Sequence, residues 1–452
     1  MHIVIAGQDE VAFNIAEGLM ASHEVVLIGA SSLSLPRADK LDVEFVCGSP
    51  TNADVLKAAR ADRAGIFVAA TESDEQNLVA CIAARRMGAK RTICILSRPG
   101  VVESHEHDEQ LAQSLGLSAV VRPSVQLADE LLRIVTVPGA LDVEHFFDGK
   151  VHLMRHVVDA DSPITRGRIA DVNIPKTVTV LMARRGEEMW IPSGDTVLEA
   201  GDKVTALGTP RGIRKLLFQF LRSSDHGAEA HRVTIVGGGE VGVLLGTRLE
   251  KAGWRIKLIE TDRERCEEIA GSLKGLVVHG DGSDIDLLEE ERVTDSPVLV
   301  AVTSNDEKNL LISLIARHLG VERVITRANR LANEILFERV GIDVVRSARG
   351  AAIRKVVFEV VGDDSTVRAN LEHGDVDILE LEIPADAEPH PLSDYRTDVF
   401  AIVGALKRGS EIIITRKSTI VKAGDHLLIL ATDADIDETR QLFLGGGAQN
   451  GS

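Results

Sequence analysis

The stretch Ala70-Thr-Glu-Ser-Asp-Glu-Gln-Asn77 returns 232 residues later as Val302-Thr-Ser-Asn-Asp-Glu-Lys-Asn309, and this repetition constrains the fold more than any other feature of the chain. Gly48 matches Gly280 and Arg85 matches Arg317 at the same offset. A second set recurs at an offset of 223: Arg185-Gly186 and Ala200-Gly201-Asp202 return as Arg408-Gly409 and Ala423-Gly424-Asp425. Two offsets mean two kinds of unit, arranged large–small–large–small. A period this long is a duplicated half-chain rather than a solenoid, whose repeats run to about 20–50 residues.

The large units alternate short Val/Ile/Leu-rich strands with amphipathic helices, the pattern of a parallel sheet covered on both faces. In the second large unit we expect strands at 232–236, 255–259, 275–278, 297–302 and 323–327. Helices are expected at 243–252 and 262–273. The small units read as α+β modules, with strands expected at 177–183, 188–191 and 203–208 joined by Arg-Gly and Gly-Asp turns. The expected class is therefore α/β: two Rossmann-like, doubly wound parallel-sheet lobes, each followed by a small α+β lobe. The expected boundaries are 1–136, 137–221, a linker at 222–231, 232–358, 359–444, and a disordered tail at 445–452.

Aromatic residues make up only 3% of the chain, so the cores must be built from Val, Ile, Leu and Ala. The formal net charge of −18 argues against nucleic acid as a partner. No run of about 18 apolar residues is present to span a membrane, and the amino terminus has no signal-peptide pattern. The four cysteines, Cys47, Cys81, Cys94 and Cys266, show no metal-ligand spacing. Cys47 and Cys94 lie in apolar runs and are expected to be buried.

Gly237-Gly238-Gly239-Glu240-Val241-Gly242 is a G-x-G-x-x-G between an expected strand and an expected helix. Gly237 permits a tight turn, Gly239 lets backbone approach a pyrophosphate, and Gly242 allows close helix–sheet packing. The helix start then offers free N–H groups to phosphate. Glu260 closes the next strand, 23 residues after Gly237, where an acid bonds the ribose hydroxyls. A carboxylate there disfavours a 2′-phosphate and hence NADP, but leaves NAD(H), ATP and ADP open. Three further segments end strands on the same edge of the sheet. Asp281, within His279-Gly-Asp-Gly-Ser283, is placed near the adenosine; Thr303 and Ser304 near the phosphates; Arg327 as a neutralising cation. The alternative for each is a capped turn or a surface ion pair.

The first large unit keeps the frame without the chemistry. Its turn reads Gly7-Gln-Asp9-Glu-Val-Ala12, with Asp9 where backbone should meet pyrophosphate. A carboxylate about 4 Å from a phosphate charge costs roughly 4 kcal/mol at a surface-like dielectric. Gly29 replaces the acid, Gly48-Ser-Pro-Thr51 replaces Gly-Asp-Gly-Ser, and Ile95 stands at the position of Arg327. One nucleotide site per chain is expected.

Catalysis finds little support. His373, His390 and His426 are scattered, and Cys266 has no visible base. An NAD-dependent oxidoreductase and the ligand-sensing subunit of another ion transporter are the alternatives to a regulatory reading.

The unit order, with Gly237–Gly242, His279–Ser283 and Thr303–Asn309, resembles the tandem regulators of potassium conductance (the RCK/KTN family) over nearly the whole chain. The resemblance implies a non-enzymatic, cytoplasmic subunit, peripheral on the inner face of the cell membrane. It implies a homo-oligomeric ring, tetrameric in form, beneath a Trk-type membrane potassium channel or transporter subunit. NAD(H) or ATP/ADP, not NADP, would serve as regulatory ligand.

Overall fold

The computed structural model describes residues 1–20, 23–30, 41–98, 112, 114–137, 140–159, 162–186, 188–220, 231–361, 367–371, 376–395 and 399–444, and every structural statement refers to these. The expected linker (except His231), the expected tail and His373 lie outside them.

The first large lobe carries strands β1 (His2–Ala6), β2 (Glu24–Gly29), β3 (Glu44–Cys47), β4 (Ile66–Ala69), β5 (Arg91–Ile95) and β6 (Ala119–Val121). Its helices are α1 (Glu10–Met20), α2 (Ala53–Ala58), α3 (Asp74–Met87) and α4 (Pro123–Thr136). The strands run parallel in the order β3-β2-β1-β4-β5-β6. The first small lobe is an antiparallel sheet of β7 (Ala140–Phe146), β8 (Val151–Val157), β9 (Val178–Arg185), β10 (Glu188–Trp190) and β11 (Lys203–Gly208), with helix α5 (Pro210–Phe220).

The second large lobe repeats the first. Its strands are β12 (Arg232–Val236), β13 (Arg255–Glu260), β14 (Leu276–His279), β15 (Val298–Ala301), β16 (Arg323–Ala328) and β17 (Val344–Ser347), in the matching parallel order β14-β13-β12-β15-β16-β17. Its helices are α6 (Glu240–Lys251), α7 (Arg263–Ala270), α8 (Ile285–Glu290), α9 (Asp306–Leu319), α10 (Leu331–Arg339) and α11 (Ala348–Val361). The second small lobe has β18 (Val367–Leu371), β19 (Val376–Glu382), β20 (His390–Pro391), β21 (Ala401–Arg408), β22 (Glu411–Ile414), β23 (Ile420–Val421), β24 (His426–Thr432) and α12 (Ile436–Leu444).

The α/β class with two doubly wound sheets is what the residue pattern led us to expect. Helix α6 starts three residues earlier than expected, at Glu240, because Gly239 is already its N-cap and the second half of the glycine motif is helical. Cys94 is buried as expected, but Cys47 is exposed. The apolar run around Cys47 forms β3, the edge strand of its sheet, which is only partly covered.

Like packs with like. Residues 1–132 and 228–360, the two large lobes, form one compact unit; residues 133–227 and 361–452, the two small lobes, form another. Within the first unit, ion pairs join the lobes: Arg354 grips Glu130 through two bonds of 3.0 and 2.6 Å, and Arg248 meets Asp129 at 2.7 Å. Within the second unit, one apolar core takes Phe146, Leu153, Leu181 and Leu207 from the first small lobe and Val376, Ile378, Leu428 and Leu430 from the second. The duplicated Gly-Asp turns carry duplicated ion pairs, Arg185–Asp202 at 2.7 Å and Arg408–Asp425 at 2.6 Å, with both carboxylates fully buried. No helix is long and apolar enough to cross a membrane.

Candidate nucleotide site

The glycine motif of the second large lobe sits at the carboxyl edge of its sheet, between β12 and α6. Gly237 has φ of +114°, a conformation that side chains disfavour. A Cβ on Gly242 would stand 2.0 Å from the Gly237 carbonyl oxygen, so no other residue fits there without moving the turn. Gly239 is different: a Cβ there would point into open space. As the N-cap of α6 it has no side chain to bond the first-turn N–H groups.

Glu260, at the end of β13, grips this turn. Its Oε2 accepts the Gly238 N–H at 2.5 Å, and its Oε1 accepts N–H groups from Thr261 and Asp262 and the Thr261 hydroxyl. Burial alone would raise its pKa, but the donors from Asp262, Gly238 and Thr261 outweigh that and hold it below the usual range. The acid expected to meet a ribose therefore also fixes the loop that would meet the pyrophosphate.

Arg327 closes β16 on the same edge. Its Nε is buried without a hydrogen-bond partner. Burial lowers its pKa, against the attraction of Asp306 and Glu240. It is a cation held near the α6 start and incompletely satisfied. Asp281 bonds Ser283 through both the hydroxyl and the N–H, and meets Lys308 Nζ at 2.9 Å. These bonds, the Ser283 ones foremost, hold its pKa at about 2. Asp281 is thus a charged residue at the cleft, already engaged in a capped turn and an ion pair.

Thr303 is turned inward. Its N–H and hydroxyl both go to Asn309 Oδ1, at 2.9 and 2.6 Å, while Asn309 Nδ2 reaches the Thr303 and Arg327 carbonyls. Ser304 is exposed and offers its carbonyl to Asn329. The first lobe builds the same bolt from Thr71, Asn77 and the Ile95 carbonyl. Asp74 and Asp306 likewise each accept the N–H that follows the neighbouring strand, from Ser97 and Asn329. The residues that made the duplication visible thus fasten two strand ends together in both lobes.

Two residues went unnoticed in the sequence. Arg265 donates Nε to the Gly238 carbonyl at 3.0 Å and pairs with Glu268 at 2.7 Å, so its guanidinium lies against the glycine turn. Lys308 partners Asp281. An arginine in the first turn of the helix after the acid was the available signal for the former.

The arrangement has the features expected of a dinucleotide-binding edge, and comparison with known proteins gives the family. The TrkA-N domain family matches residues 3–123 and 233–348, and the TrkA-C domain family matches residues 153–220 and 378–444. The Trk system potassium uptake protein TrkA homolog 2 of Methanosarcina mazei is 33% identical over 98% of this chain and 100% of its own length. The chain belongs to the TrkA family. The TrkA homolog of Archaeoglobus fulgidus is 33% identical over the same shares, and TrkA of Haemophilus influenzae is 29% identical over 98% of each chain. The fold is shared with the crystal structure of the GsuK RCK domain, at a TM-score of 0.60 and 20% identity over 98% of this chain and 94% of that one. It is shared equally with the GsuK channel bound to NAD, at 0.60 and 20% over 98% and 78%. A TrkA-family chain is a regulatory protein of potassium uptake and not an enzyme, which sets aside the oxidoreductase alternative.

Proposed function

We propose that this chain is the cytoplasmic nucleotide-sensing subunit of a Trk-type potassium uptake system, with one NAD(H) or ATP/ADP site per chain in the second large lobe. The observation that carries this reading is the open space beside Gly239. The start of α6, whose N-cap Gly239 carries no side chain, and Arg327 with its unpartnered Nε supply positive potential to it, and Glu260 stands at its ribose end. The same carboxylate disfavours NADP. A channel of the same fold has been solved with NAD bound.

A homo-oligomeric ring, tetrameric in form, fits the surface. Leu311 and Leu314 on α9, Ile335 and Leu336 on α10, and Val340 are all large apolar side chains left exposed on one lobe. Val79 on α3 repeats the position of Leu311 in the first lobe. Bound nucleotide would act by its differential affinity for two ring conformations, and so shift the population that opens the membrane partner.

Calorimetric titration with NADH and with ADP tests the site. One equivalent should bind per chain, and none to Gly239→Asp. Undiminished binding to that variant would overturn the reading. Potassium flux through the co-reconstituted transporter, with and without nucleotide, tests the regulation; indifference to nucleotide would overturn it.

A further inference from the structure

We infer that the first large lobe is closed to nucleotide by its own side chains: Asp9 permanently holds the phosphate position, Gln8 holds the ribose end, and Arg349 of the second lobe provides the counter-charge. This rests on the reading of Gly237–Gly242 as a nucleotide turn, because the two lobes are compared position by position.

The turns share their frame. Gly7 N–H bonds the Ile28 carbonyl and Gly237 N–H bonds the Ile259 carbonyl, both at 2.9 Å. What differs is what fills the space. In the second lobe the N-cap Gly239 makes no side-chain bond to α6; in the first, Asp9 Oδ1 accepts the Ala12 N–H at 3.0 Å in the first turn of α1. A carboxylate on a free helix N–H is the interaction a phosphate would make. Arg349, from α11 of the other lobe, attracts Asp9 and meets Glu10 at 3.5 Å, whereas Glu72 opposes it. Burial pushes the Asp9 pKa up despite the Ala12 N–H and Arg349, so the carboxylate is partly withdrawn from water.

The ribose end is closed as well. Gln8 Oε1 accepts the Ala30 N–H at 2.8 Å, just beyond β2. A Cβ on Gly29, the counterpart of Glu260, would stand 2.9 Å from Gln8 Cβ and 3.0 Å from the Phe45 ring. Gln8 Cβ therefore has to go before an acid fits at position 29, whereas the tip of the Phe45 ring need shift by only a few tenths of an ångström. The blockage is therefore coordinated: Gln8 replaces the acid as the group that ties the turn to the neighbouring strand, and Asp9 replaces the phosphate. The chain keeps one lobe in a fixed, ligand-like state beside one that responds.

The test is to reopen the site. The variant Gln8→Gly/Asp9→Gly/Gly29→Glu should bind two equivalents of ADP or NADH per chain by calorimetry, against one for the natural chain. Added to Gly239→Asp, it should restore one equivalent. A folded triple variant that still binds one equivalent would overturn the inference, as would a natural chain that already binds two. A natural chain that binds none while the triple variant gains one would instead defeat the second-lobe reading and leave this inference standing. Should the triple variant misfold, Asp9→Asn serves, since it keeps a cap on α1 but removes the charge. Arg349→Gln should then quicken hydrogen exchange at residues 10–13 severalfold in the natural chain and clearly less in Asp9→Asn, where only the contact with Glu10 remains to be lost; equal quickening in both would overturn the role of Arg349.

Discussion

The Glu260 carboxylate and the Gly238 N–H, 2.5 Å apart, join the end of β13 to the glycine turn, so the groups placed at the ribose and at the pyrophosphate form one mechanical element. Glu260→Gln should weaken both functions at once. The amide retains a single acceptor oxygen for the donors that the carboxylate shares between two. A loss of about 1–3 kcal/mol is expected from a charged acceptor removed from partly buried donors. Nucleotide affinity should fall at least about tenfold, the equivalent of roughly 1.4 kcal/mol. The pH sign follows from the lowered Glu260 pKa: its contribution to stability is present above the ordinary glutamate value and fades as pH falls through the lower folded value. Urea unfolding between pH 7 and 3 should show that loss in the natural chain and not in Glu260→Gln. Equal slopes would refute the assignment.

Gly239 and Gly242 are both glycines of the motif, yet they should answer alanine differently. Gly242→Ala puts a Cβ 2.0 Å from a backbone oxygen and should cost about 1–3 kcal/mol or more, as overpacking does. Gly239→Ala, at φ of −66° with open space beyond, should leave the unfolding free energy within about 0.5 kcal/mol of the natural chain's. Its nucleotide affinity should nonetheless drop, because the new methyl group occupies the approach to the α6 start. If Gly239→Ala bound nucleotide normally, the ligand would not lie along that path.

The frame of the molecule was legible because periodicity and duplication are properties of long segments. Strand β12 and strand β11 fall where the pattern puts them, and the parallel pairing in the two large sheets follows from the alternation of strand and helix. The pairing of large lobe with large lobe was not legible, since it depends on which surfaces are complementary, such as Arg354 against Glu130, 224 residues apart. At the site, Gly237, Gly242 and Glu260 were readable from spacing. Arg265 was missed because its role depends on the Gly238 carbonyl that it reaches across the turn. Thr303 showed only its residue type, and the structure directs its hydroxyl to Asn309.

Asn77 and Asn309 make the same bonds in the two lobes and should prove equally costly to remove. Each accepts from a threonine N–H and hydroxyl and donates to two carbonyls, and each is fully buried. Asn77→Ala and Asn309→Ala should each destabilise their lobe by about 2–4 kcal/mol, the sum of lost bonds and groups left unsatisfied. Hydrogen exchange resolved by lobe would measure the two separately. A large loss in one lobe and none in the other would mean that the repeated asparagines have diverged in role.

Arg327 offers the sharpest separation of binding from folding. Its Nε is buried without a partner, so the unliganded fold gains little from it. Its attraction to Asp306 and Glu240 is offset by the burial that lowers its pKa. Arg327→Gln should therefore leave the melting temperature of the nucleotide-free protein nearly unchanged. The nucleotide-induced shift should behave otherwise. A ligand at one hundred times its dissociation constant stabilises by about 2.7 kcal/mol, and a thirtyfold loss of affinity leaves under about 1 kcal/mol of that. Thermal unfolding of the natural chain and of Arg327→Gln across an ADP titration distinguishes the outcomes. A full shift in the variant would place the phosphates away from β16. A collapse of the unliganded melting temperature would show that Arg327 serves the fold rather than the ligand.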